Sequence, residues 1–579
     1  MKIKAVTKLW VLTGLVLAAG LLKSAAAQLT WSGTGNPSTN WDVGLTANWK
    51  NGAISSFFNT GDSVLFNDNG ITTTINLTTN VQPAAVTVDS VLRNYSFSGG
   101  TNAIVGAAAF LKNGTSTLTL NSSNGFTGGL TISNGIVTLG NGYAAGSGII
   151  TLAGGTLNLG TTITPGNTLS NVANSTITGG SAGGLVGIYK VTGSNTLNIA
   201  IPSGVFDFKG DMTTFSGTVA FGSSANNLRL NGATGSSLAT FDLGTGTLLM
   251  SIRNGATAIA LGGLAGAGNG TTLAANSSAN YGATFTIGAN NASTTFAGKI
   301  ANGSAGAGAT TAINKVGTGT LTLSGTNNSY TGATTVNGGV LAVSGSAWPA
   351  NSTIVDVTAN GVLDVSGMAG GMLTLGAGQT LKGAGTIRGS LVVPAGAILL
   401  PGDGVGVLTV TNAVTLGGSM VMELNLSSSP ATNDMLSAAS ITGGGTLLVT
   451  NLGPALQAGN TFKLFSQAVS GIAVTLATND ASGASYTWSN KISVDGTIQV
   501  LTASSSVNPA PTNLVFSLSG NALQLSWPGD HKGWRLLTNA VSLASTNSWF
   551  PFPNSAAVTN VAVTVDPSKA NVFFRLVYP

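Results

Sequence analysis

Short runs of alternating apolar and polar residues, each bounded by glycine or Asn-Gly, fill most of this chain. Gly129-Leu-Thr-Ile-Ser, Thr156-Leu-Asn-Leu-Gly, Thr196-Leu-Asn-Ile-Ala, Gly217-Thr-Val-Ala-Phe, Ala283-Thr-Phe-Thr-Ile and Thr446-Leu-Leu-Val-Thr are typical. A period of two puts one face of each run on a core and the other toward solvent, so the pattern predicts β-strands. The outward positions are mostly Thr, Ser and Asn rather than charged residues. Helical periodicity is hard to find, and so much glycine makes helices costly.

One stretch is written twice. Residues 112–139 read KNGTSTLTLNSSNGFTGGLTISNGIVTL, and residues 315–343 read KVGTGTLTLSGTNNSYTGATTVNGGVLAV. Lys112, Gly114, Leu118, Leu120, Thr127, Gly128, Thr131 and Gly135 fall on Lys315, Gly317, Leu321, Leu323, Thr331, Gly332, Thr335 and Gly339. Phe126 falls on Tyr330, with one residue inserted in the later copy. Repetition of this kind specifies architecture before chemistry. The Asn-Gly and Gly-Gly pairs also suit β-hairpins, so a meandering sheet or a propeller is a rival. A propeller wants regular blades of about 40 to 50 residues, whereas these strands are close and unevenly spaced. That spacing predicts a parallel β-helix with coils of roughly 20 to 25 residues, hence about 16 to 20 coils. With stacked strands about 4.8 Å apart, these give a rod on the order of 75 to 100 Å long.

Composition agrees. Glycine is 83 of 579 residues, about twice the usual share, and 6% of residues are charged where about 25% is usual. Hydrophobic residues reach 43%, which separates the chain from disordered, polar sequences. Beyond the N-terminal stretch, no apolar run is long enough to span a bilayer. There is no cysteine, so disulfides, thiolate metal sites and cysteine nucleophiles are excluded, and stability must come from a long hydrogen-bonded stack.

Residues 1–27 read as a secretory signal: Lys2, Lys4 and Lys8 precede an apolar stretch that ends in Ala25-Ala26-Ala27. Removing it takes four lysines and no acid, leaving 17 basic residues against 16 acidic ones. The high isoelectric point therefore does not imply a nucleic-acid partner. The expected location is outside a bacterial cell, in the medium or at the outer surface.

Residues 28–100 form a tryptophan-rich opening with Trp31, Trp41 and Trp49. Large aromatics among Gly and Asn suit the cap of a β-helix, whose end must be closed to water and to other chains. The alternative is a carbohydrate platform, because an exposed indole face stacks on a sugar ring. Residues 101–502 carry the helix proper, 503–511 a Ser/Pro linker, and 512–579 a different unit. Its alternating segments and three tryptophans (Trp527, Trp534 and Trp549) predict a small β-sandwich and offer further candidate glycan contacts.

The doubled stretch resembles the autotransporter-associated β-strand repeat, approximately K-x-G-x-G-x-L-x-L, a polar loop, then [YF]-T-G-x-T-x-(V/I)-x-x-G-x-L. The resemblance implies an all-β fold: an exported, right-handed parallel β-helix like the passenger segment of autotransporters. In place of the outer-membrane β-barrel that follows such passengers, this chain continues into residues 512–579. They resemble a C-terminal module of large secreted proteins from environmental bacteria.

Catalytic candidates are thin. Fifteen Asp and one Glu, Glu423, are spread along the chain without an Asp-Asp pair. Thr432-Asn-Asp434 and Thr478-Asn-Asp480 read as turns. Asp62, Asp68 and Asp403 read as turn caps. His531 is the only histidine, which excludes a His-rich metal site or a Ser-His-Asp arrangement elsewhere. The reading that follows is a non-enzymatic surface or matrix protein without cofactor or metal, adhesin-like or scaffolding. Extracellular polysaccharide or cell-surface glycan is the expected partner. Carbohydrate binding through the end tryptophans is the second reading, and a polysaccharide lyase or hydrolase the last.

Overall fold

The structure is a computed structural model. It describes residues 28–180, 184–222, 227–255, 257–402, 404–427, 432–478, 484–504, 510–545, 548–566, 568 and 571–578. The expected signal and most of the expected linker lie outside them. Half of the chain is strand and 2% helix, and the solenoid amounts to about 16 turns. The chain divides into two compact units, residues 1–157 and 158–579.

In the first unit, Ser63–Phe66, Ala85–Val88, Ala109–Lys112, Leu130–Ile132 and Ile150–Leu152 stack as one parallel wall. Thr74–Leu77, Tyr95–Ser98, Thr117–Leu120 and Ile136–Leu139 form a second. Val105–Gly106 and Gly125–Phe126 are a short third wall. Phe110 pairs with Leu130, and Leu130 with Ile150, so two successive turns of the coil are equal in length. Val64, Val86, Phe110, Leu130 and Ile150 thus line up inside the coil, all buried. Each such side chain contributes about 1.5–3 kcal/mol by leaving water. No coil can bury this row alone, which is why the fold has to repeat.

The first coil is closed by an antiparallel hairpin. Trp49–Asn51 pairs with Gln28–Trp31, and Ile54–Ser56 pairs with Trp49–Asn51. Beneath it Trp31, Trp41 and Trp49 are each 0% exposed. Their rings meet one another and Phe58, Phe66 and Phe97 at centroid distances of 5.0 to 6.0 Å.

The second unit uses the same kind of construction with less regular coils. Ile177 pairs with Ile199, Phe285 with Ile313 and Leu381 with Leu399, so the length of chain in one turn changes along the stack. A second wall comprises Leu185–Ile188, Val205–Phe208, Asn227–Asn231, Leu249–Arg253, Thr272–Asn276 and Lys299–Ala301. Further along, Thr320–Leu323, Gly339–Gly345 and Gly361–Met368 belong to another. The parallel coils give way to an antiparallel sheet of Thr461–Lys463, Thr497–Ser504 and Ser485–Lys491. The strand ending at Ser504 enters the stretch read as linker.

Beyond it, Val515–Ser519, Ala522–Ser526 and Asn560–Thr564 make one antiparallel sheet. Phe550–Pro551, Arg535–Asn539 and Phe573–Val577 make another. Leu525, Trp527 and Leu536 form the buried core, with Phe552, Val563 and Phe574 packed against it. Two small sheets over one core fit the expected sandwich.

Candidate functional site

The doubled stretch builds the same corner twice. Lys112 ends one strand and Lys315 another, and both side chains are buried. The Lys112 ammonium donates to the carbonyls of Gly114 and, at 3.4 Å, Asn134. The Lys315 ammonium donates to Val316 at 2.7 Å, Gly317 at 3.3 Å and Gly338 at 3.1 Å. Burial pulls both pKa values down from 10.5 to about 8. Each lysine satisfies the carbonyls where the coil turns, which no strand ladder can reach. The matching glycines are equally constrained. A Cβ on Gly128 would run into the Ala108 carbonyl oxygen, and one on Gly332 would run into that of Thr311. Phe126, in a short strand, and Tyr330, in the loop before Thr334–Val336, are both buried core anchors. The Tyr330 hydroxyl lies 2.7 Å from the Thr334 hydroxyl, which lies 2.9 Å from that of Ser352.

The carboxylates serve the backbone and the coil-to-coil ladders. Asp62 accepts the Asn59 N–H at 2.8 Å. Asp68 accepts the Ser90 hydroxyl and the Val91 and Leu92 N–H groups, and these bonds hold it below the usual carboxylate range. Asp356 pairs with Lys382 at 2.9 Å and Asp364 with Arg388 at 2.8 Å, each in register with the next coil. Asp434 accepts the N–H groups of Gly406 at 2.9 Å and Glu423 at 2.8 Å. It is buried, and burial pushes its carboxyl up to about 7. Asp403 and Asp480 lie outside the described residues. Among the described residues no group of three or more His, Cys, Asp or Glu is placed to hold a metal ion.

The tryptophan candidates need correcting. Trp31, Trp41 and Trp49 offer no exposed face to a sugar, because each is enclosed by the other rings of the cap. Trp527 and Trp534 are buried as well; Trp527 belongs to the module core and Trp534 lies 5.1 Å from the His531 ring. Trp549 is half-buried beneath the Arg575 guanidinium, 4.3 Å from its ring centroid. His531 closes a short turn, buried, with Nε2 2.8 Å from the Ala510 carbonyl oxygen.

What the sequence did not single out is the outer face of the wall running from Leu185–Ile188 to Lys299–Ala301. Phe206 and Phe208 point into the coil with rings 5.1 Å apart, so Asp207 between them faces outward, yet it is 0% exposed. Arg229, its register partner on the next coil, grips it through Nε at 2.7 Å and Nη2 at 3.1 Å. Asn231 adds a third bond to the same carboxylate at 2.7 Å. The signal was available in Phe206-Asp-Phe-Lys209 and Asn227-Leu-Arg-Leu-Asn231: charges at alternate strand positions in a chain that has so few.

Two segments match the family model described as passenger-associated-transport-repeat. They are residues 110–139 and 313–343, and they bracket the two lysine corners. The likeness, together with the parallel solenoid, makes this chain similar to an autotransporter passenger. No curated protein matches the chain. Among the described residues no helix is long and apolar enough to cross a membrane.

Proposed function

We propose that this protein is an exported, non-enzymatic solenoid that acts as a scaffold or adhesin-like component at the cell surface or in the matrix. The observation that carries the reading is the doubled corner. The residues shared by the two matched segments are committed to coil building: lysines to carbonyls, glycines to close approach, apolar residues to the core. Among the described residues, Asp62 and Asp434 are likewise engaged with backbone N–H groups, and Asp207 and Asp364 are paired between coils. Such a chain offers length and an outer surface. The test is fractionation of the producing cells with antibody detection. Recovery in the medium or on the protease-accessible outer surface is expected, with no shortening of uronate-rich polysaccharide by the purified protein. Retention in the cytoplasm, or depolymerisation abolished by a single Asp→Ala change, overturns it.

A further inference from the structure

The geometry points to an anionic-polysaccharide site on the outer face of the Leu185–Ile188 to Lys299–Ala301 wall, where Lys209, Arg229, Arg253 and Lys299 bind the carboxylates or sulfates of an extended acidic glycan. This deepens the scaffold reading by naming what the surface holds, and it rests on that reading only for the setting in which such a glycan is met.

The register sets out the face. Ile188 pairs with Phe208, Phe208 with Leu230, and Asn231 with Arg253, so Tyr189, Lys209, Asn231 and Arg253 form one outward column. Beside it runs a second column of Gly187, Asp207, Arg229 and Ser251. Neighbouring members of a column are about 4.8 Å apart, close to the repeat of sugar rings in an extended chain. The second column is recessed: Asp207 and Ser251 are buried, and between Ser251, Ala274 and Ala301 the small side chains leave a groove of about 310 Å³, with Lys299 in its lining.

The charges are arranged unequally. Asp207 is neutralised by Arg229, and Asp211 faces Lys190 at 3.6 Å. Lys209, Arg253 and Lys299 form no ion pair among the described residues, so the face carries uncompensated positive charge. Lys209 is positioned by the Tyr189 ring, 5.9 Å below its ammonium, and by the Thr164 hydroxyl at 3.4 Å. Arg229 is held by Asp207 through Nε and Nη2, which leaves Nη1 without a protein partner among the described residues. A guanidinium already fixed in place loses little entropy on meeting an anionic oxygen. Around these cations stand amides and hydroxyls suited to sugar hydroxyls, and the half-exposed Tyr189 ring, which suits an apolar sugar face.

The experiment is affinity electrophoresis and calorimetry of the full chain with polygalacturonate, a sulfated galactan, neutral dextran and duplex DNA. Retardation by the two acidic glycans, weakening as salt rises, is expected; which of them is tighter identifies carboxylate or sulfate as the anion. Lys209→Ala, Arg253→Ala and Lys299→Ala should each weaken binding up to about fivefold, and the triple variant should abolish it with its melting profile unchanged. Lys50→Ala, in the other unit, should bind as the unaltered chain does. Equal binding by the triple variant, equal retardation by dextran, tighter binding to DNA, or no binding to either acidic glycan overturns the proposal. None of these outcomes bears on where the cell places the protein, so the scaffold reading stands or falls separately.

Discussion

The ammonium of Lys315 donates a 3.1 Å hydrogen bond to the carbonyl oxygen of Gly338, one coil further along the solenoid. Lys112 repeats the relationship with Asn134. A buried amine that ties consecutive coils together is a structural clasp, and removing it strands carbonyls away from water. Lys315→Met keeps the stem and removes the ammonium, so it should destabilise the chain by about 2–3 kcal/mol in urea unfolding. A midpoint equal to that of the unaltered chain would show that the charge contributes nothing at the corner.

The same lysines set an alkaline dependence. Their folded pKa of about 8 lies below the ordinary 10.5, so between these values the unfolded chain binds more protons and stability rises with pH. The carbonyl hydrogen bonds offset part of the cost of burying the ammonium, so from pH 8 to 10 the gain should be on the order of 1–2 kcal/mol per lysine. Above pH 10 the trend reverses. Burial raises Tyr95 to about 12 and pushes Tyr330 higher still, so the unfolded chain then loses protons that the folded chain keeps. A stability optimum near pH 10, flattened on its acid side by Lys112→Met with Lys315→Met, is expected from unfolding measured across pH 7–12.

Asp434 works in the opposite sense at lower pH. With its pKa raised to about 7 from 3.8, the folded chain binds the extra proton between those values. Its contribution therefore weakens stability as pH rises from 4 to 7, by an amount on the order of 2–3 kcal/mol once nearby solvent is allowed for. Asp434→Asn should remove that slope while still accepting a backbone N–H, whereas Asp434→Ala should cost about 2–4 kcal/mol by leaving the Gly406 and Glu423 N–H groups unpartnered. Urea midpoints at pH 4.5 and 7.5 distinguish the two.

Two glycine substitutions separate crowding from backbone strain. At Gly332 a Cβ would press on the Thr311 carbonyl oxygen, so Gly332→Ala should cost about 3 kcal/mol or more. At Gly345 the φ of +59° is the only obstacle, since nothing lies within 4 Å, and alanine should cost about 1–2 kcal/mol. Similar losses at both sites would mean that coil-to-coil contact is looser than the structure shows.

Trp41 gives a test of the cap. Trp41→Ala should destabilise the first unit by about 3–5 kcal/mol through the cavity it leaves among Trp49, Phe58 and Phe66. Glycan retardation should be unaltered. Loss of glycan binding in a chain that still melts normally would return the tryptophans to the role of sugar platform.

The strands were legible because alternation in segments such as Thr117–Leu120 and Thr320–Leu323 records which face each residue shows to the core. The doubled stretch disclosed coiling because a repeated corner needs the same lysine, glycines and aromatic each time. The burial of Phe126 and Tyr330 was not legible, since a single aromatic between polar residues carries no period. The tryptophans were ambiguous for a related reason: composition alone cannot tell a buried ring from an exposed one.

By itself the sequence determined an all-β repeating chain and its approximate coil length, because these follow from local periodicity and turn chemistry. Tertiary structure alone decided that Trp31, Trp41 and Trp49 are enclosed, that Lys315 clasps Gly338, and that Asp207 meets Arg229. The last two join residues a full coil apart. The turn from Leu381 to Leu399 is shorter than the turn from Phe285 to Ile313, so which side chains meet is fixed only when the coils stack in register.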